Sequence, residues 1–245
     1  MTNSKTISTN SSRAEQTRAA ILKAAIREFG AHGLSGARID AIAQAASANK
    51  ALLYYYFKNK EGLYSAAIES VSAEVVHNAL AALDPKYSPG ERLLRCALNH
   101  FDRILTKHEF QSLLQQEMVR VQRNEHHGET AFFQSTFRPL MERLLSAVEE
   151  GVRAGELCKA EPMQVVYAIF GTNVFYFLSA PMVATALGIE PFHPQALEAR
   201  RRGAVQLWGN ALFVDRAHGA KLVQKVLRQM PMPEVKDFQL RRKFA

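Results

Sequence analysis

Residues 38–57 read RIDAIAQAASANKALLYYYF, and the fold follows from how this stretch divides. Ile39, Ile42, Ala43 and Ala46 recur at helical spacing, Ser47–Asn49 interrupts, and a second short helix runs through Phe57. Two helices near 38–45 and 49–57 joined by so tight a turn make a helix-turn-helix, an arrangement that sets its second helix into a DNA major groove. Alanines at 41, 43, 45 and 46 let the pair cross closely, and Leu53, Tyr56 and Phe57 anchor the second helix from one side. The opposite side presents Asn49, Lys50, Leu52, Tyr54 and Tyr55. An amide, an ammonium and two phenols can donate to phosphates and base edges, and Leu52 can touch a thymine methyl.

Helical periodicity continues in both directions. Upstream, Ile21, Leu22, Ala25, Ile26 and Phe29 predict a helix that starts near Arg13–Thr17 and stops at Gly33, a residue suited to a left-handed cap. Downstream, a turn at Lys58–Lys60 leads into a long helix over 61–83, and Pro85 and Pro89 mark a loop at 84–90. Further helices are predicted near 90–107, 109–122, 130–154, 162–187, 195–214 and 219–229. The fold class is therefore all-α: a three-helix N-terminal unit joined by a long helix to a larger helical body. The expected division is a disordered arm over 1–13, a DNA-binding domain over 14–62, an effector-binding and dimerisation domain over 63–230, and a basic tail over 231–245.

The ordered pattern Ile39-Asp40-Ala41-Ile42-Ala43, Ala45-Ala46, Asn49 through Phe57 and Lys60-Glu61-Gly62-Leu63-Tyr64 resembles the DNA-binding domain of TetR-family transcriptional regulators. The leading helix ending in Phe29 and Gly33 matches too, and the likeness covers roughly residues 14–66. The resemblance implies a homodimer that binds a palindromic operator and is released by a small effector, most simply a repressor. It also implies that Lys50, Ala51 and Leu52 face bases, that Tyr54 and Tyr55 meet backbone or base edges, and that Lys60 meets a phosphate. Arg38, opening the second helix, lies near the phosphates by geometry. Two positions depart from the family pattern: Ser47 replaces the usual turn glycine, and Ala37 replaces a common capping threonine, a role left to Ser35.

Charge fits a polyanionic partner. The formal net charge is +8, with nine Lys/Arg against five Asp/Glu in residues 1–70 and seven against two in 221–245, while the middle is nearly neutral. Cys96 and Cys158 are too few and too far apart for a disulfide framework or a cysteine zinc site. No glycine-rich phosphate loop, HExxH or GxSxG motif is present, and His126-His127 reads as a surface pair. His100, Asp102 and Glu117 could converge in a bundle, but the Glu-x-x-His pairs of a di-metal enzyme are missing. No catalytic residue, metal or cofactor is expected. The N-terminus has no apolar signal core, which points to a cytoplasmic protein.

Residues 162–189 contain no charged side chain, long enough to span a bilayer. Gln164, Thr172, Asn173, Ser179 and Thr185 interrupt them, so the stretch reads as a buried core or interface helix. With the helix near 195–214, carrying Leu197, Val205, Leu207, Trp208, Leu212 and Phe213, it is expected to form a four-helix dimer interface. The body supplies aromatic and isolated polar residues for an effector pocket: His100, Phe101, Gln115, Met118, Phe133, Phe137, Phe170, Asn173 and Tyr176. With no charge cluster among them, a neutral or weakly polar, aromatic or lipid-like effector is expected. An activator, a protein-responsive regulator, or a helical enzyme or carrier are the alternatives.

Overall fold

The computed structural model describes the backbone of residues 4–125 and 130–234, and the side chains of residues 13–125 and 134–234. The described residues form helices α1 (Ser4–Gly36), α2 (Ile39–Ala45), α3 (Lys50–Phe57), α4 (Lys60–Ala82), α5 (Pro89–Thr106), α6 (His108–Gln122), α7 (Thr130–Arg153), α8 (Pro162–Leu187), α9 (Pro194–Ala211) and α10 (Arg216–Gln229). The all-α class holds: extended pairing among the described residues is confined to one isolated bridge, Leu157 with Phe213.

Helix starts follow local chemistry. Ser88 accepts from the Glu91 N–H with Pro89 in the first turn, and Glu161 accepts from Gln164 ahead of Pro162. Asp215 accepts from both Ala217 and His218 to open α10. At the other end of α8, Gly188 takes the left-handed conformation at φ 65°.

Helix α1 departs from expectation at its start, and its regular run breaks at Gly33, the expected stop. It begins at Ser4, inside the segment expected to be a disordered arm; residues 1–3 lie outside the described ones. Once the apolar turns around Ile21–Phe29 are helical, extension through polar residues costs little per residue. At the other end the chain passes Gly33 in a non-helical conformation, φ 68° and ψ 177°, and takes one more turn to Gly36. The positive φ at this kink favours glycine, and a side chain there would have to displace the end of Gln116, whose amide oxygen lies 2.5 Å from the Cβ position. Of the basic tail, residues 235–245 lie outside the described ones.

Contacts divide the chain into two units, Met1–Val75 with His108–Thr136, and Val76–Lys107 with Phe137–Ala245. In the first, Ile21, Ala25, Phe29, Ile42, Leu53, Phe57, Leu63, Ile68 and Leu113 are buried, and Phe29 meets Tyr64 edge-on at 5.0 Å. Helix α6 belongs to this unit: the Gln116 amide donates to the Gly30 carbonyl at 2.7 Å. No apolar period in α6 distinguishes a helix of the body from one that packs on α1, so the sequence could not assign it.

The second unit holds two apolar clusters. One gathers Leu93, Leu94, Leu98, Leu144, Val148, Val166, Ile169, Val205, Phe213 and Val226. The other gathers Phe101, Ile104, Leu105, Phe177 and Leu197. Leu197, Val205 and Phe213, expected to contact a second copy, are therefore core residues of their own chain, whereas Leu207 is 54% exposed. Arg201 reaches the Asp102 carboxylate through Nε at 2.6 Å and Nη2 at 2.7 Å, a forked pair across α5 and α9. Helix α8 is long and apolar enough to cross a membrane by length and composition, with a third of that window buried in the protein.

His100 is buried in the second unit, edge-on to Phe170 at 4.7 Å and 3.4 Å from the Asn173 amide. Burial, aided by the nearby positive charge of Arg103, pushes its pKa from 6.5 down to about 3. The folded chain thus keeps the neutral ring while the unfolded chain binds a proton. The contribution is complete above pH 6.5 and is lost as pH falls toward 3, by about 1 kcal/mol per pH unit. Urea unfolding followed between pH 7 and pH 4 is expected to show this slope, and His100→Gln to flatten it.

Candidate nucleic-acid interface

The turn between α2 and α3 is closed by backbone. Ala46 N–H donates to Ile42 at 2.9 Å, Ser47 to Gln44 at 3.1 Å and Ala48 to Ala43 at 2.9 Å, with Ser47 in the left-handed region at φ 52°. That conformation needs no side chain, and serine holds it at the cost of a Cβ crowding its own carbonyl. Asn49 then caps α3: its Oδ1 accepts from the Leu52 N–H at 2.8 Å. Of the two hydrogen-bonding ends of this amide, the oxygen is thereby committed to the fold.

From that cap, α3 buries Leu53 and Phe57 and leaves Tyr56 half-buried. Ala51, Tyr54 and Tyr55 are exposed, Tyr55 by 79%, and Leu52 is half-buried. Lys50 is exposed but not unpaired: its ammonium lies 2.8 and 3.0 Å from the two carboxylate oxygens of Asp40, in the first turn of α2. The hydrogen bond and charge of Asp40 hold the Lys50 pKa above its ordinary value.

Around the pair, three polar contacts that no sequence pattern marks fix the chain. The expected Ser35 cap on α2 is not made; instead Glu28 of α1 accepts from the Arg38 backbone N–H at 3.0 Å. The carboxylate meets a helix N-terminus, where negative charge is favoured. Lys60 Nζ donates to the Ser35 carbonyl at 3.2 Å, so the lysine expected at a phosphate also holds the end of α1. Asn59 Oδ1 accepts from Gly62 N–H at 2.7 Å, and a Cβ at Gly62 would lie 2.2 Å from the Phe57 carbonyl oxygen. Only glycine lets α4 start this close to the end of α3.

Helix α6 contributes a buried charged group to the same unit. The Tyr64 hydroxyl donates to Glu117 Oε2 at 2.8 Å, Arg120 Nη1 donates to the same oxygen at 2.9 Å, and the Arg120 guanidinium lies over the Tyr64 ring at 4.9 Å. Glu117 is only 1% exposed. Burial and the facing carboxylate push the Tyr64 pKa far above its ordinary value, keeping the phenol protonated as a donor.

The residues expected in an effector pocket are divided between the units. Gln115 and Met118 sit on α6 in the first; Gln115 lines a cleft of about 640 Å³ between α1 and α6, and Met118 is 61% exposed. His100, Phe101, Phe137, Phe170, Asn173 and Tyr176 belong to the second unit, and the Phe133 side chain lies outside the described residues. Asn173 donates to the Ala97 carbonyl at 3.0 Å, and Phe101 packs near Tyr176 at 6.4 Å. Another cleft of the second unit, about 500 Å³, is lined by α9 and α10 residues including Arg201, Arg202 and Arg228. Among the described residues no cluster of His, Cys, Asp and Glu could hold a metal.

Two substitutions test this account of the first unit. Glu117→Leu strands Arg120 and the Tyr64 hydroxyl, and is expected to lower stability by about 3 kcal/mol. Ser47→Gly relieves the left-handed serine and is expected to raise it by about 1 kcal/mol. Denaturant midpoints compared with the parent chain check both.

Comparison with known proteins finds two family matches along the chain. The model of bacterial regulatory proteins of the tetR family matches residues 21–67, and that of the tetracyclin repressor-like C-terminal domain matches residues 89–207, together more than half of the chain. The chain is 51% identical over 55 residues to the HTH-type transcriptional repressor SCO4008 of Streptomyces coelicolor, covering 22% of this chain and 29% of that one. It is 31% identical over 144 residues to the HTH-type transcriptional repressor NicS of Pseudomonas putida, covering 58% and 65%. These two matches thus span less than two thirds of either relative. The solved structure of AibR in complex with isovaleryl coenzyme A and operator DNA shares the fold, with a TM-score of 0.61 and 21% identity over 80% of this chain and 97% of that one. The chain belongs to the tetR family of bacterial regulatory proteins, DNA-binding helix-turn-helix regulators of transcription.

Proposed function

We propose that the protein is a ligand-responsive repressor that binds a two-fold operator as a homodimer and leaves it when a small effector binds. The observation that carries the reading is the face of α3: a capped helix in a tight helix-turn-helix, with Lys50, Ala51, Tyr54 and Tyr55 exposed and Leu53 and Phe57 buried behind them. Arg38, Asn49, Leu52 and Lys60 complete the DNA-contacting set. Both relatives described above are named as repressors, which favours repression over activation. A soluble cytoplasmic protein is the setting that such a role requires, and the family is one of regulators rather than enzymes.

Assembly is read from α8. Tyr167, Phe175, Leu178 and Met182 are each about two-thirds exposed and recur along one side of the helix. So much apolar surface favours burial against the same helix of a second copy, and Leu207 of α9 is a further exposed apolar side chain available to such an interface. The effector site is assigned to the second unit around His100, Phe101, Phe170, Asn173 and Tyr176, for an aromatic or acyl-bearing ligand. AibR, a structural relative, is described with isovaleryl coenzyme A, which makes an acyl-bearing effector a natural first trial.

The test begins with duplexes selected by the purified protein from a random-sequence pool. A two-fold site is expected to emerge, bound by a dimer in sedimentation, with affinity falling steeply as salt rises. Lys50→Ala is expected to weaken that site by about 1–3 kcal/mol and relax preference at one base position in each half. Failure to select any sequence would overturn the reading.

A further inference from the structure

The Lys50–Asp40 pair joins two residues with opposite tasks at a DNA interface. Lys50 is the first residue of α3, where its side chain can reach a base edge; Asp40 is a carboxylate on the neighbouring helix, beside Arg38. A carboxylate facing a polyanion weakens binding unless it does something else. Both oxygens of Asp40 lie within 3.0 Å of one ammonium, although both side chains are more than half exposed. Among the described residues the Asp40 carboxylate accepts from Lys50 and from no other group, and its place in the first turn of α2, where negative charge is favoured, does not require that contact.

An ammonium has three N–H donors. Held by a carboxylate, it still has a donor to offer outward, from a fixed position. A free lysine samples many rotamers and follows whichever phosphate is nearest. We infer that Asp40 is a positioning residue for specificity: it pins the Lys50 ammonium toward base edges and withholds it from phosphates. The inference rests on the DNA-binding reading above, and it adds a residue that the TetR resemblance does not assign. At non-operator DNA the pinned lysine finds no aligned acceptor, and Asp40 cancels its charge. At the operator the ammonium serves both the carboxylate and the base.

The removal of one charge tests this without altering side-chain shape. Asp40→Asn, Lys50→Ala and the double variant are compared with the parent on two duplexes of equal length, one selected by the parent protein and one of random sequence. With Asp40→Asn, binding to the random duplex is expected to tighten several-fold, and the ratio of selected to random affinity to fall at least threefold. The slope of log affinity against log salt on the random duplex is expected to steepen by about 0.9, one phosphate's worth. In the Lys50→Ala background the same substitution is expected to leave the ratio unchanged. A ratio that stays constant in Asp40→Asn, because both affinities rise or fall together, overturns the inference. So does a ratio that changes equally with and without Lys50. A parent protein that selects no sequence at all instead overturns the regulatory reading on which the inference stands. Denaturant midpoints within experimental error of the parent are required of each variant, and a local unfolding that lowers all binding together counts against the inference.

Discussion

One buried carboxylate organises the first unit. Glu117 is closed off from water and receives a phenol and a guanidinium on a single oxygen. A charge in that position is tolerable only while both partners stay in place. Tyr64, which supplies the phenol, also presents its ring to Phe29, so α1, α4 and α6 are registered against one another at the same point. The α2–α3 pair is then set by the two helices it follows and precedes, through Glu28 on α1 and Asn59 at the head of α4. Apolar burial supplies most of the stabilisation, but it is indifferent to small slides of one helix along another. The directional contacts remove that freedom.

Legibility in the sequence tracked how local the determining physics was. Helices α2 and α3 were readable because a short apolar period, a turn and a cap lie within twenty residues. The helices of the body were readable from their periodicity and from the prolines at 85 and 89, and the caps at Ser88, Glu161 and Gly188 sit within a few residues of the expected ends. The tyrosines of α3 read as exposed or buried according to their spacing from Leu53 and Phe57. What did not show were pairings over long sequence distances: Glu28 with the Arg38 backbone, Tyr64 with Glu117, Gln116 with Gly30. A glutamate that caps another helix has no pattern around it that differs from a solvated glutamate. The same holds for Leu197, Val205 and Phe213, whose apolar character suits a core and a dimer interface equally, and which the structure gives to the core.

Charge in the candidate interface is less simple than its count. Lys50 and Lys60 contribute to the basic N-terminal region, yet one is paired with a carboxylate and the other is bonded to a carbonyl at the end of α1. Each lysine is therefore held in a defined place before any DNA arrives. Preorganisation of this kind lowers the entropy lost on binding and gives geometry to what would otherwise be diffuse attraction.

The close approach at Gly62 has a consequence for anyone who would re-engineer this surface. Because the Phe57 carbonyl occupies the space of a side chain there, position 62 admits glycine alone, and the angle at which α3 leaves the scaffold is a property of the main chain. Variation at positions 51, 54 and 55 then changes what the helix displays without changing where it points, since none of these side chains is buried. Diversity and geometry are written in separate residues. A library confined to those three positions would explore new recognition chemistries on one constant frame, whereas a library that included 49, 59 or 62 would mix altered preference with altered fold.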